Sequence, residues 1–482
     1  MRVASPPQNF SNFKQKILVG LRRGQQNDNH WHNVRIKFIL AVTAGALMFL
    51  LVFLADLSYL YGSLYQDNYR YHNFHYLVVD YDGGAIGQAF QATYNATASL
   101  NMPTAFFHSP SEYPNTHDVY QAVWNGDYAF AVSISQGASD RLNAALQGGE
   151  AAATYDPTQV ITWIWNQQNF PTFQQSITKA SFQSLFGQVF GFYNKLNPRA
   201  LHSLNQSDPR AIQAFLRPIG YTETNIKPTP QGSVVLLTTA SMAMPVLQQF
   251  FFLLILNAVC GKFQLYSHVP IRKSTVVRFT AGIIYALGAA LAMSGYYFAF
   301  RESWTVNAAQ FFLTWATLWL LMHIHFLIFD TLMALLPLPF MPFLVLTWIF
   351  VNIAGTVSPL SIQPDFYHWA TILPAHNTIL TLFTIWSGGA NNRLYRTLPL
   401  LFSWWIVSNV TSVLAHRRAC TVAKRKKEEQ GDRPREENPL HKEEAEDIEA
   451  TQDRPKSDSS IFAGADSTGK QTCAGEKQET QP

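Results

Sequence analysis

The sequence predicts a polytopic α-helical membrane protein with six transmembrane helices, one followed by five, and an α/β extracytoplasmic domain between the first and second. Three observations carry this. Apolar stretches of about 20 residues, the length that crosses ~30 Å of hydrocarbon, recur along the chain. Charge is scarce, at 14% of residues against 48% hydrophobic, where soluble domains carry about 25% charged residues. It is also segregated: the last 67 residues hold 28 charged ones.

The first span is expected at 38–60. It follows a long polar and basic stretch and has full length. Both features favour a signal anchor over a cleaved signal peptide, whose apolar core is shorter and nearer the N-terminus. The second is expected at 236–260, kinked at Pro245, the third at 279–300 and the fourth at 309–329. The fifth, 332–354, holds Pro337, Pro339 and Pro342, so it is expected to be broken or re-entrant. Only Asp330 and its neighbour separate it from the fourth, which predicts a tight hairpin. The sixth is expected at 398–414. Between the last two, residues 366–386 read as a short interfacial or re-entrant element on the outer side.

Orientation follows from lysine and arginine in short flanks. Lys14, Lys16, Arg22, Arg23, Arg35 and Lys37 precede the first span. Lys262, Arg272, Lys273 and Arg278 follow the second, and Arg417, Arg418 and Lys424 to Lys427 follow the sixth. Both termini are therefore expected in the cytoplasm. Arg393 and Arg396, between the fifth and sixth spans, depart mildly from the bias. The resulting domains are a cytoplasmic segment 1–37, TM1 at 38–60, the displayed domain 61–235, a five-helix membrane domain 236–415 and a disordered cytoplasmic tail 416–482. The tail's Glu, Lys, Asp, Ser and Pro cannot bury a core.

Within 61–235 the pattern alternates. Residues 75–81 and 128–134 read as strands, 104–108 as a short apolar run, and 85 onward, 119–124 and 138–146 as helices. That order predicts an α/β unit. Residues 173–195 read as a long amphipathic helix returning to the membrane. The three cysteines, Cys260, Cys420 and Cys473, all fall at or beyond the cytoplasmic face, so this domain has no disulfide. Asn95-Ala96-Thr97 and Asn205-Gln206-Ser207 are glycosylation sequons if it faces a lumen.

Chemistry-bearing motifs are few. Asp82-Gly83-Gly84-Ala85-Ile86-Gly87 has the look of a phosphate-cradling turn but lacks the G-x-G-x-x-G order, and a tight glycine turn accounts for it. No G-x-x-x-x-G-K-[ST] occurs, so the chain is not expected to hydrolyse ATP. His325 and Asp330 have the spacing of a base and its orienter in some acyltransferases, but five residues along a helix puts them on different faces. His323, His325, Gln248 and Gln249 form a candidate intramembrane polar set, together with Asn257; interhelical hydrogen bonding is the plainer role. Cys420 beside the basic patch is a candidate for palmitoylation. No catalytic, cofactor or metal residues are expected, and the chain is not read as an enzyme. A net charge of +4 does not suggest nucleic acid.

The layout resembles a fungal membrane family that includes the nitrosoguanidine-resistance proteins. That family is related in arrangement to bacterial phage-infection (YhgE/Pip-like) proteins and type-2 ABC-transporter permeases. The resemblance covers about residues 36–415. It rests on Val78-Val79-Asp80-Tyr81-Asp82-Gly83-Gly84 with Gly87, on Val123-Trp124-Asn125-Gly126-Asp127-Tyr128-Ala129-Phe130-Ala131-Val132 followed by Ala138 to Leu146, and on Leu373-Pro374-Ala375-His376-Asn377 with the Leu398 to Val407 span. It implies a plasma-membrane protein, less readily an endomembrane one, linked to drug or mutagen resistance by export. Its partners would be membrane lipids and a small amphipathic substrate, and pairing like a permease would make it a homodimer. The alternative is a non-transporting adaptor that regulates other transporters or lipid distribution.

Overall fold

A computed structural model describes residues 9–431 except 231, with side chains described from 34 to 429. The chain divides into two units, 1–424 and 425–482. In the second, Arg425 and Glu429 pair at 3.4 Å on an exposed surface.

Helix α1 (Asn9–Ser63) carries the first apolar stretch, Val34–Ser63. A mixed sheet follows, built from β1 (His75–Asp80), β2 (Thr104–His108), β3 (Phe130–Ile134), β4 (Ile161–Trp165) and β5 (Tyr221–Asn225) in the order β2-β1-β3-β4-β5. All neighbours are parallel except β3 and β4. The helices between strands are α2 (Ala85–Thr97), α3 (Thr116–Asn125), α4 (Ala138–Gln147), α5 (Gly149–Thr154), α6 (Ala180–Leu196) and α7 (Pro209–Leu216).

Central β1 and β3 read as unbroken apolar runs because both faces are covered. On one face, Trp163 stacks on Phe182 of α6 at 4.6 Å and on Trp165 at 4.9 Å. Helix α3 begins at a capping box, with Asn115 and Asp118 bonding each other's backbone, and stops at Gly126 with φ +80°. Strands β1, β2 and β3 alternate with helices α2, α3 and α4 over 75–147. Strands β4 and β5 are additions to the expected pattern. The first carries a β-branched and aromatic signature (ITWIW), but the second is polar (YTETN) because it lies at the edge.

The remaining long helices are α8 (Ala240–Lys262), α9 (Ile271–Ala299), α10 (Ala308–Leu335), α11 (Met341–Ala354), α12 (Pro374–Trp386) and α13 (Leu394–Gly431). Among the described residues five helices are long and apolar enough to cross a membrane: α1, α8, α9, α10 and α13. The chain is therefore a multi-pass membrane protein. At 14 residues, α11 measures about 21 Å, short of a crossing by itself.

Several expected boundaries move. Asp330 is not in a turn: α10 runs through it to Leu335, and the chain breaks at Pro337. Arg278 is not a loop base: α9 begins at Ile271 and holds it buried. Residues 366–386 form a 3-10 stretch, Asp365–Ile372, and then the buried helix α12. The tail expected to be disordered from 416 is helical to Gly431; its continuation lies outside the described residues.

Helix α1 meets the other helices mainly along α11. Phe49 packs on Phe343 at 5.9 Å and Phe53 on Phe350 at 6.1 Å. Leu47, Leu50, Leu51 and Leu54 stay exposed, as suits side chains facing lipid.

Candidate functional site

Three polar groupings stand out. The first lies where α9 begins and α10 ends. Arg278 and Asp330 form a buried ion pair. The Arg278 guanidinium also donates to Asn257 Oδ1 at 2.9 Å and to Tyr266 Oη at 2.7 Å. The other Asp330 oxygen accepts from Ser412 Oγ at 2.6 Å. His416 bridges Ser274 Oγ at 3.0 Å and the Cys420 thiol at 3.4 Å. Four helices, α8, α9, α10 and α13, are thereby tied beside a cavity of ≈ 260 Å³ lined by Arg278, Asp330, Asn257, Tyr266 and His416. On sequence alone Arg278 and Asp330 fall in separate loops. A cation and an anion at the matching ends of adjacent spans is the signal that could have paired them. Cys420 is fully buried, so its thiol is closed to an acyl donor in this conformation.

The second grouping is the expected intramembrane set, which the structure does not gather into one site. His323 and His325 are both buried, but Trp405 of α13 donates its indole N–H to His323 Nδ1 at 2.9 Å. Trp348 of α11 donates to His325 Nδ1 at 3.1 Å. Each ring, if neutral, then carries its proton on Nε2, and both Nε2 atoms are buried without a partner. The two histidines link α10 to two different helices. His325 bonds Trp348 and Asp330 bonds Arg278, so the base-and-orienter pairing is not formed. Gln249 is buried with neither amide atom bonded, and half-buried Gln248 has an orphan Oε1. Among the intramembrane polar groups outside the expected set is Asp56 of α1, which is buried against α11 and accepts from Thr347 Oγ1 at 3.2 Å.

The third is a cleft of ≈ 300 Å³ at the seam between the sheet and the near ends of the helices. Its sheet side comprises Phe74, His75, residues 126–129 and parts of 166–174; its helix side comprises 359–361, α12 and the start of α13. Hydrogen bonds clamp the seam around it. Asn391 N–H donates to Trp124 O at 2.6 Å, Arg70 Nε to Ile362 O at 2.6 Å and Asn73 Nδ2 to Ser361 O at 2.8 Å. Trp304 Nε1 donates to Gln168 Oε1 at 2.8 Å. A side chain at Gly126 would collide with Asn391, so the close approach requires glycine there. Arg393, Arg396, His376 and Asp127 are among the ionisable groups of the lining. Burial, reinforced by Tyr113, pushes the Tyr128 phenol up to about 12, so it lines the cleft neutral.

The glycine turn after β1 sits where the sheet order reverses, the usual ligand crevice of such sheets. Here the chain's own groups occupy it. Asp82 accepts from Ser139 N–H at 2.9 Å and Ser139 Oγ at 2.5 Å, and Ser139 Oγ in turn accepts from Ile86 N–H at 3.0 Å. Asp82 thus caps the start of α4, and Ser139 of α4 caps the start of α2. Burial raises the pKa of the nearby Asp80 carboxyl despite its bonds from the Gly83 and Asp82 N–H groups. Asp82→Ala should cost about 1–3 kcal/mol through the lost caps, read as a lowered unfolding midpoint. An unchanged midpoint would mean the reciprocal caps contribute nothing.

Both expected sequon residues, Asn95 on α2 and Asn205, are exposed. Asn205 Nδ2 donates to Gln147 O at 3.2 Å. Among the described residues no cluster of metal-ligating side chains occurs.

The family model described as "Protein of unknown function (DUF3533)" matches residues 45–410, and the chain belongs to that family. The match runs from within α1 to within α13, so it includes the sheet, the seam and the helices. No curated protein and no solved structure matches the chain.

Proposed function

We propose that this family member is a transporter that exports, or helps to export, amphipathic compounds or lipids across the plasma membrane. The observation that supports the reading best is the seam cleft. It combines polar and apolar lining, it is walled jointly by the sheet and the helices, and it adjoins helices that carry buried polar groups along their length. Intramembrane polar groups of this kind mark substrate or ion pathways in transporters.

On this reading the chain crosses six times. The short α11 completes its crossing with the turns on either side, shielded by α1 and α8. Basic flanks put both termini in the cytoplasm and the sheet outside. The likeness to nitrosoguanidine-resistance proteins would make the cargo a toxicant. Cells lacking the protein should accumulate a labelled amphipathic toxicant above the wild-type level; equal accumulation across a broad panel would sink the export reading.

The orientation has its own test. In a eukaryotic host the protein should show a glycosidase-sensitive mobility shift that shrinks in Asn95→Gln. If neither Asn95→Gln nor Asn205→Gln alters a shift, or none exists, the lumenal placement loses its support.

A further inference from the structure

We propose that the seam cleft binds an oxyanion (a carboxylate, phosphate or sulfonate) borne by an amphipathic molecule, with Arg393 and Arg396 as its charge partners. The assignment rests on the transport reading for the ligand's being cargo. The binding chemistry stands on the residues.

Both guanidiniums line the cleft, and among the described residues neither has an acidic partner. Arg393 Nε donates to Asn391 Oδ1 at 3.0 Å, which aims the group while leaving its terminal nitrogens available to a ligand. The Arg396 side chain makes no hydrogen bond among the described residues, yet both arginines act electrostatically on the buried His376 ring. Both line the same cleft as that ring. His376 Nδ1 lies 2.7 Å from Gly355 O and donates to it, which fixes the ring in the cleft wall. Gln174, 1% exposed, stands in the opposite wall; its amide N–H groups can donate to the anion, while its unpartnered oxygen is an acceptor for a donor elsewhere on the ligand. It begins a π-helical turn, Gln174–Lys179, an irregularity often found at functional sites. Among the described residues the only carboxylate in the lining is Asp127, so they give the cleft excess positive charge. Phe74, Phe170 and Leu380 offer apolar surface for a tail.

The two arginines are also the bases that depart from the orientation bias. A topological role does not account for them; a ligand-binding role does. Arginine forks suit oxyanions because two parallel N–H groups match two oxygens.

The test uses the full chain in phosphatidylcholine nanodiscs. Dansyl-undecanoic acid is titrated against its uncharged methyl ester. The acid should bind at least about tenfold more tightly, the scale of one charge-assisted hydrogen bond. Arg393→Gln/Arg396→Gln should abolish that preference, and Asp127→Asn should strengthen it. Both arginines are exposed, so the fold should persist, and an unchanged unfolding midpoint confirms it. Displacement by inorganic phosphate identifies a free anion as sufficient ligand. Displacement only by phosphatidylglycerol in the disc identifies a lipid headgroup. Equal affinity for acid and ester, or a preference that survives loss of both arginines, overturns the proposal. Binding that persists without any transport in liposomes would retain the site and remove the cargo reading.

Discussion

Arg278→Ala is expected to destabilise the protein by about 3–5 kcal/mol, the usual cost of breaking a buried pair from one side. The loss comes from what remains. Asp330 would keep its charge in a buried site with only Ser412 bonded to it, and Asn257 and Tyr266 would lose a shared donor. Asp330→Ala should cost a similar amount for the converse reason. Arg278→Met/Asp330→Leu should recover most of the loss, since apolar groups of similar size often replace buried ion pairs without penalty. Unfolding midpoints in one detergent measure all three. An unaltered midpoint for Arg278→Ala would mean that the guanidinium is solvated rather than paired.

Gly282→Leu should be nearly as severe, at about 3 kcal/mol, the upper part of the range for overpacking. A Cβ at Gly282 would lie 2.6 Å from Phe326 Cζ, closer than real contacts allow. Phe326 is itself buried and packs against Phe252 of α8 at 6.1 Å. Small residues allow this close approach of α9 and α10 where no hydrophobic force drives helices together in lipid. Gly288, on the same helix, is exposed, and a Cβ added there would meet nothing within 4 Å. Gly288→Leu is the control and should leave the midpoint within about 0.5 kcal/mol. Equal effects at the two glycines would contradict the packing.

The long helices are legible in the sequence because length and apolarity are local properties. The misplacement of Asp330 comes from treating a charge as a helix end. Its compensation by Arg278, 52 residues away, is invisible locally, and the same blindness puts Arg278 in a loop. Strands β1 and β3 are readable as apolar runs, while polar β5 is strand only because β4 lies beside it. The histidines stand out in the sequence as polar groups in an apolar span, but their indole partners on α11 and α13 are tertiary facts. The cleft is nearly invisible in the sequence, since it gathers residues from Asn73 to Thr397. Its one trace is the pair of arginines on the wrong side of the charge bias.

On the proposed reading the chain itself moves amphipathic molecules. The most direct measurement is transport by the purified protein in sealed liposomes, with a fluorescent anionic amphiphile inside and a quencher outside. The account predicts protein-dependent movement without added partners, reduced by Arg393→Gln/Arg396→Gln. Movement no faster than in protein-free liposomes, across anionic, neutral and cationic amphiphiles, would contradict it and favour an adaptor.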